Sequence, residues 1–444
     1  MLLIEHGYLV DPKTGKEGHL DVLIGDGKIL KIAGPDSMQA YLEAQLSKEA
    51  SVQRIDASGC VVAPGLVDVH VHFRDPGFTY KEDIESGAVA AAAGGFTTVV
   101  LMANTKPTVD NVETLQYVLE KGAQTAIRVE TCAAVSEGLQ GEKLVDFEKL
   151  RKLGAAGFTD DGIPLMDEAV VREAMERTAE LQVPVSFHEE DKSYIINNGI
   201  NEGKASAHYG IDGSPRDAEI SLVKRDLQLA LETGAIINIQ HISSKEAVEL
   251  VRQAKMAAAA QTENAGKRIA QIHAEATPHH IALTEEAIIE KGTMAKMNPP
   301  LRTEEDRQAI LAGLKDGTID LIATDHAPHS EEEKAKSLTE APSGILGLET
   351  ALALCNEHLV QSDVLTMSQM LAKLTCNPAD MYGLDAGYLA ENGPADLVIF
   401  NPKETWTFEK AHSKSQNSPF LGEELIGKVR ATICAGEIIY NADI

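Results

Sequence analysis

His70 and His72 stand two residues apart in GLVDVHVHFRDPG (65–77), at the end of an apolar run. Residues two apart in a strand face the same side, so these imidazoles can grip one cation together. Comparable residues close other apolar runs: Asn104 after FTTVVLM, Asp160 and Asp161 in FTDDG, His188 in FHEE, His241 in QHIS, His279 and His280 in TPHH, and Asp325 in TDHAPH. Taken singly, each is an ordinary hydrogen-bonding residue. Brought together, four imidazoles and a carboxylate would repel or stay unsatisfied without a cation, and nitrogen and carboxylate donors favour zinc. His70, His72, His188, His241, Asp325 and an acid from FTDDG would crowd one ion and suit two that share a carboxylate. Two ions about 3.5–4 Å apart can hold a hydroxide and polarise a carbonyl, the chemistry of amide hydrolysis.

Such residues need a scaffold that collects strand ends. From GLVDVHVHFR onward, apolar strands alternate with helical segments: FTTVVLMAN, IRVETCAAV, AAGFTDDG, PVSFHEE, AIINIQHIS, RIAQIHAEA and IDLIATDHA follow in turn. Eight such units predict an α/β fold with a closed (β/α)₈ barrel spanning 61–384, whose C-terminal rim gathers every polar exit residue. The alternative is a doubly wound open sheet, but no GxGxxG opens the first unit. The two ends, 1–60 and 385–444, are rich in short strands and tight turns such as Asp26-Gly27, and predict one composite β-sandwich domain. SMQAYLEAQLSKEASVQ carries helical periodicity; neither it nor AAAAQTENAGK suggests a function. Thr79 and Glu82 have the spacing of a helix capping box. After Asp325, HAPHSEEEKAKSLTEAPSGILGLE predicts a rim loop able to act as a lid, with Glu331 to Lys336 a solvated charge run.

Composition narrows the partners. The 444 residues carry a formal charge of −28, which repels nucleic acid and anionic membrane surfaces. No run of eighteen apolar residues and no cationic leader followed by an apolar core occurs, so neither a membrane span nor a signal peptide is expected, and the location expected is cytoplasmic. Five scattered cysteines without a CxxC pair read as reduced thiols.

HVHFRDPG, FTTVVLMANTKP, FTDDG, FHEE, QHIS, TPHH, MNPPLR, TDHAPH and APSGILGLE, in this order, resemble the dihydroorotases of the bacterial type I group, cyclic amidohydrolases of the amidohydrolase superfamily. The resemblance implies a barrel with a β-sandwich built from both termini. It implies reversible cyclisation of N-carbamoyl-L-aspartate to L-dihydroorotate in pyrimidine biosynthesis. It also implies two zinc ions per subunit, one on His70, His72 and Asp325, the other on His188 and His241. Many relatives bridge their metals with a carbamylated lysine; FTDDG has none, so an aspartate would bridge with a hydroxide, Asp161 by its offset from His188 and otherwise Asp160. Arg74 and Asn104, with His329, would hold the substrate carboxylate, a guanidinium offering a bidentate fork. Without the resemblance, a surface ion pair with Asp75 would be the simpler reading of Arg74. His72, Asn298, Ser343 and Gly344 would also touch substrate, and Asp325 would carry the proton. His279 and His280 are left structural. A homodimer is expected, and aspartate transcarbamoylase is a partner of some family members. The competing functions are a hydantoin- or allantoin-cleaving relative and an inactive barrel serving as a scaffold.

Overall fold

The computed structural model describes residues 1–45, 51–261 and 268–442. Eight parallel strands form the central unit: β1 (Leu66–Val71), β2 (Phe96–Leu101), β3 (Arg128–Thr131), β4 (Phe158–Thr159), β5 (Pro184–Phe187), β6 (Ile236–Ile239), β7 (Gln271–Ala276) and β8 (Leu321–Ile322). They pair in two runs, β1 to β3 and β4 to β8. Backbone bridges join the runs at both seams. Ala133 pairs with Phe158 beyond β3, and Val71 pairs with His326 beyond β8. At the second seam the His72 amide donates to the His326 carbonyl at 2.9 Å. The ring is therefore closed, as the alternating pattern predicts.

Every residue of β1 and β2 is buried, as expected of strands packed inside by the barrel core and outside by helices. The outer helices begin where side chains can cap free backbone N–H groups. Asp167 and Ser244 cap Glu168–Leu181 and Lys245–Ala259. The capping box near Thr79 is displaced: Asp83 and Ser86 form it, at the start of Ile84–Ala93. Glu82 is fully buried and accepts instead from Ser86 and Ser413. The helix starts at Ile84, so Asp83 rather than Thr79 holds the cap position.

The chain ends interlock in two sheets. One orders Lys28–Ala33, Asp21–Gly25, Leu2–Glu5 and Gln53–Asp56; the other runs from Glu437–Asn441 through Glu424–Cys434, Leu397–Thr407, Val61–Pro64 and Tyr8–Asp11 to Lys16–His19. Val61–Pro64 pairs antiparallel with Leu397–Phe400 and leads directly into β1. Leu2, Ile4, Leu9, Val22, Ile399 and Ile433 share one apolar core. The helix expected after the first strands is present as Pro35–Gln45; positions 46–50 of that segment, and 262–267 of the alanine-rich stretch, lie outside the described residues. No disulfide links any of the five cysteines among the described residues. Among them, too, no helix is long and apolar enough to cross a membrane.

Candidate active site

The C-terminal ends of β1, β4, β5, β6 and β8 converge as their order requires. His70 is wholly buried, with its Nε2 3.4 Å from Asp161 Oδ1 and 3.5 Å from Asp325 Oδ1. His72 Nε2 lies 3.0 Å from the same Asp325 oxygen and 3.4 Å from Asp161 Oδ2. Opposite them, His188 Nδ1 and His241 Nε2 are 2.8 Å apart and lie 3.7 and 3.9 Å from Asp161 Oδ1. Asp161 thus faces both histidine pairs. His70, Asp161 and His241 form one group close enough to hold an ion, and His70, His72 and Asp325 form another.

Asp160 faces elsewhere. Its Oδ1 accepts from the amides of Val135 at 2.7 Å and Ser136 at 3.1 Å, and Oδ2 takes the Ser136 hydroxyl. Its work is to tie the loop after β3.

The donor set fits a metal. His70 Nε2 and Asp161 Oδ1 are buried without hydrogen-bond partners, a costly state that a cation between them would relieve. Burial works against the imidazolium of His188, but Asp161 and Glu190 outweigh it and raise the group to about 9. For His70, too, burial opposes the charge, and Glu275, Asp161 and Asp325 more than compensate. Burial beside His188 and His70 holds His241 well below its ordinary value.

A cavity of about 270 Å³ opens over this group. Its lining includes every residue expected to touch substrate: His72, Arg74, Asn104, Asn298, His329, Ser343 and Gly344. Arg74 does not pair with Asp75, which is taken by Lys121 at 2.8 Å and Tyr117 at 2.9 Å. Its guanidinium instead donates to Pro328 O at 3.3 Å and approaches His329 Nε2 at 3.5 Å. Burial, with Arg74, Lys81 and Lys334 nearby, keeps His329 neutral, and the ring bonds the Ser343 carbonyl at 2.8 Å. Asn104 lines the cavity with its amide already engaged: Oδ1 meets His72 Nδ1 at 2.9 Å, and Nδ2 donates to Asp161 Oδ2 at 3.2 Å. Asn298 donates to Glu190 at 2.5 Å, leaving its own Oδ1 without a partner. His280 bonds Thr277 and the Pro299 carbonyl, and neither it nor His279 enters the two ion-sized groups.

The family model described as dihydro-orotase-like matches residues 59–247. A curated dihydroorotase of Clostridioides difficile (strain 630) is 53% identical over 442 residues, with both chains covered in full. One from Streptococcus pneumoniae serotype 4 is 48% identical over 445 residues, again with full coverage of both. The chain belongs to the dihydroorotase family. Its fold is shared more widely. An L-hydantoinase (dihydropyrimidinase) from Arthrobacter aurescens superposes with a TM-score of 0.83 at 24% identity, covering 99% of this chain and 96% of that one. A dihydropyrimidinase from Brevibacillus agri NCHU1002 gives 0.82 at 20% identity, covering 99% and 95%.

Several residues of this dihydroorotase-family site escape a sequence reading. Glu275, fully buried in β7, meets His70 Nδ1 at 2.5 Å and accepts the His241 amide at 3.2 Å with the same oxygen. Its other oxygen accepts from Asn238 at 2.9 Å. Glu190 lies 3.4 Å from His188 Nε2. Asn417, from the segment between the last long strands, accepts from the His329 amide and donates to the Ala327 and Gly344 carbonyls. One expectation is overturned: Lys334 is not part of a solvated charge run but only 4% exposed. The neighbouring carbonyls draw its side chain inward, while Glu331 and Glu332 remain outside.

Proposed function

We propose that this chain is a zinc-dependent dihydroorotase that interconverts N-carbamoyl-L-aspartate and L-dihydroorotate with loss or gain of water. The observation that carries the reading is Asp161, whose two oxygens face both histidine pairs without a lysine between them. His70, His72 and Asp325 would hold one zinc, His188 and His241 the other, with Asp161 between them. When bound, the pair supplies a polarised ring carbonyl and a hydroxide at neutral pH.

The rest is the work of the chain's own residues. Arg74 offers a fork to the substrate carboxylate, beside His329 and Asn104. The free oxygen of Asn298 suits a ring N–H, and Ser343 and Gly344 close the other side. Asp325 would take a proton from the attacking oxygen and give it to the leaving ring nitrogen; in cyclisation the same carboxylate would deprotonate the carbamoyl nitrogen.

The test is turnover by purified, zinc-loaded protein offered dihydroorotate, carbamoyl aspartate, hydantoin and allantoin in parallel. Activity on the first pair is expected. Activity confined to hydantoin or allantoin, or absent throughout, would overturn the assignment.

A further inference from the structure

Two lysines lie buried beside the cavity, and among the described residues neither is paired with a carboxylate. Lys296 is 1% exposed and Lys334 4%. The Lys296 ammonium donates to the carbonyls of Leu338 and Ala341, both at 2.7 Å. The Lys334 ammonium donates to Gly344 O at 3.0 Å, Pro342 O at 3.1 Å and Lys296 O at 3.4 Å. The same Lys296 carbonyl accepts the Gly344 amide at 2.9 Å. Four carbonyls of a single bend, and the Lys296 carbonyl that braces it, are therefore gathered by two lysines, and the bend carries Ser343 and Gly344 into the substrate cavity.

Burying an ammonium without a counter-ion is expensive. A leucine or methionine would fill either space at lower cost, so the donors themselves are what the site uses. An ammonium has three N–H bonds to aim, and Lys334 spends all three on carbonyls. Burial lowers both groups, Lys334 to about 7, helped by Lys296, and Lys296 to about 8. Placement of the bend is tight. A side chain at Gly344, where φ is +123°, would come within 2.7 Å of Ala327 Cβ and 3.1 Å of His329 Nε2. A shift of a few tenths of an ångström would change how Ser343, Gly344 and His329 meet a ligand.

We propose that Lys296 and Lys334 are positioning residues for substrate: together they set the path of residues 338–344 and so hold the Ser343-Gly344 backbone against the bound ring. This rests on the dihydroorotase reading of the cavity. The pin acts alike on ground and transition states, so its loss should appear in KM rather than kcat.

The experiment compares Lys334→Met, Lys296→Met and Lys334→Gln, the last keeping two donors, with the unaltered zinc-loaded protein. In the methionine variants KM for dihydroorotate is expected to rise about tenfold or more with kcat within about threefold and zinc content unchanged. Hydrogen exchange over 338–344 should quicken at least about tenfold while β1 stays protected. Lys334→Gln should fall between, and it decides the matter if the methionine variants do not fold. Unchanged KM in an active protein, or a bend as protected as before, would overturn the proposal. Failure of the dihydroorotase reading looks different: the unaltered protein would leave dihydroorotate untouched, and exchange over 338–344 alone would then decide whether the lysines pin the bend.

Discussion

Glu275 Oε1 lies 2.5 Å from His70 Nδ1 and also accepts the backbone N–H of His241. One carboxylate oxygen thus steadies a residue from each histidine pair and keeps His70 Nε2 directed at Asp161 and Asp325. Removing its charge should weaken metal binding without emptying the fold. For Glu275→Gln, zinc affinity in a chelator competition should fall about 10–100-fold. Wild-type affinity would show that Glu275 serves packing alone.

The two aspartates of FTDDG should separate cleanly. Asp161→Asn is expected to retain less metal on dialysis than the unaltered protein, because its oxygens face both histidine pairs. Asp160→Asn should keep its metal and lose about 1–3 kcal/mol of stability, since a neutral amide cannot satisfy the donors of Val135 and Ser136 equally well. Metal analysis and thermal unfolding of both variants check the pair.

Asp325 is asked both to hold metal and to carry a proton. Asp325→Asn and Asp325→Ala should each lower kcat by about 10³-fold or more. Wild-type-like turnover in either variant would remove the proton-carrying role.

Acid should weaken the barrel from its far end. Burial pushes Asp320 up, but His273 at 2.7 Å and Lys255 at 2.9 Å outweigh it and hold the carboxyl at about 2. A depressed carboxyl stabilises the fold above its unfolded value near 3.8 and loses that contribution as pH falls toward 2. In Asp320→Asn the loss should be present already at neutral pH, about 2 kcal/mol, with a flatter pH dependence between 4 and 2. Denaturant unfolding at pH 7 and pH 3 measures both.

The convergence of these histidines and aspartates was legible because strand ends have a signature. His70 and His72 share a face by the period of a strand, and the alternation of strands and helices brings His188, His241 and Asp325 to the same rim. Asp161 could be preferred over Asp160 only by analogy; which one turns inward depends on Ser136, a contact across 24 residues. Glu275 gave no signal, because a buried glutamate inside β7 resembles any polar residue of an alternating strand. Lys334 was hidden by its neighbours in SEEEKAK, where burial depends on carbonyls from the following bend. Asn417 reaches the site from the C-terminal segment, a distance no local pattern encodes.

The central claim is a two-zinc site bridged by Asp161, with Arg74 on the substrate carboxylate. Diffraction at the zinc absorption edge from crystals soaked in dihydroorotate tests it most directly. The account predicts two anomalous peaks about 3.5–4 Å apart, one beside His70 and His72, the other beside His188 and His241, each touching one oxygen of Asp161, with the carboxylate of the ligand on Arg74. A single peak, or a metal pair that Asp161 does not touch, would contradict it.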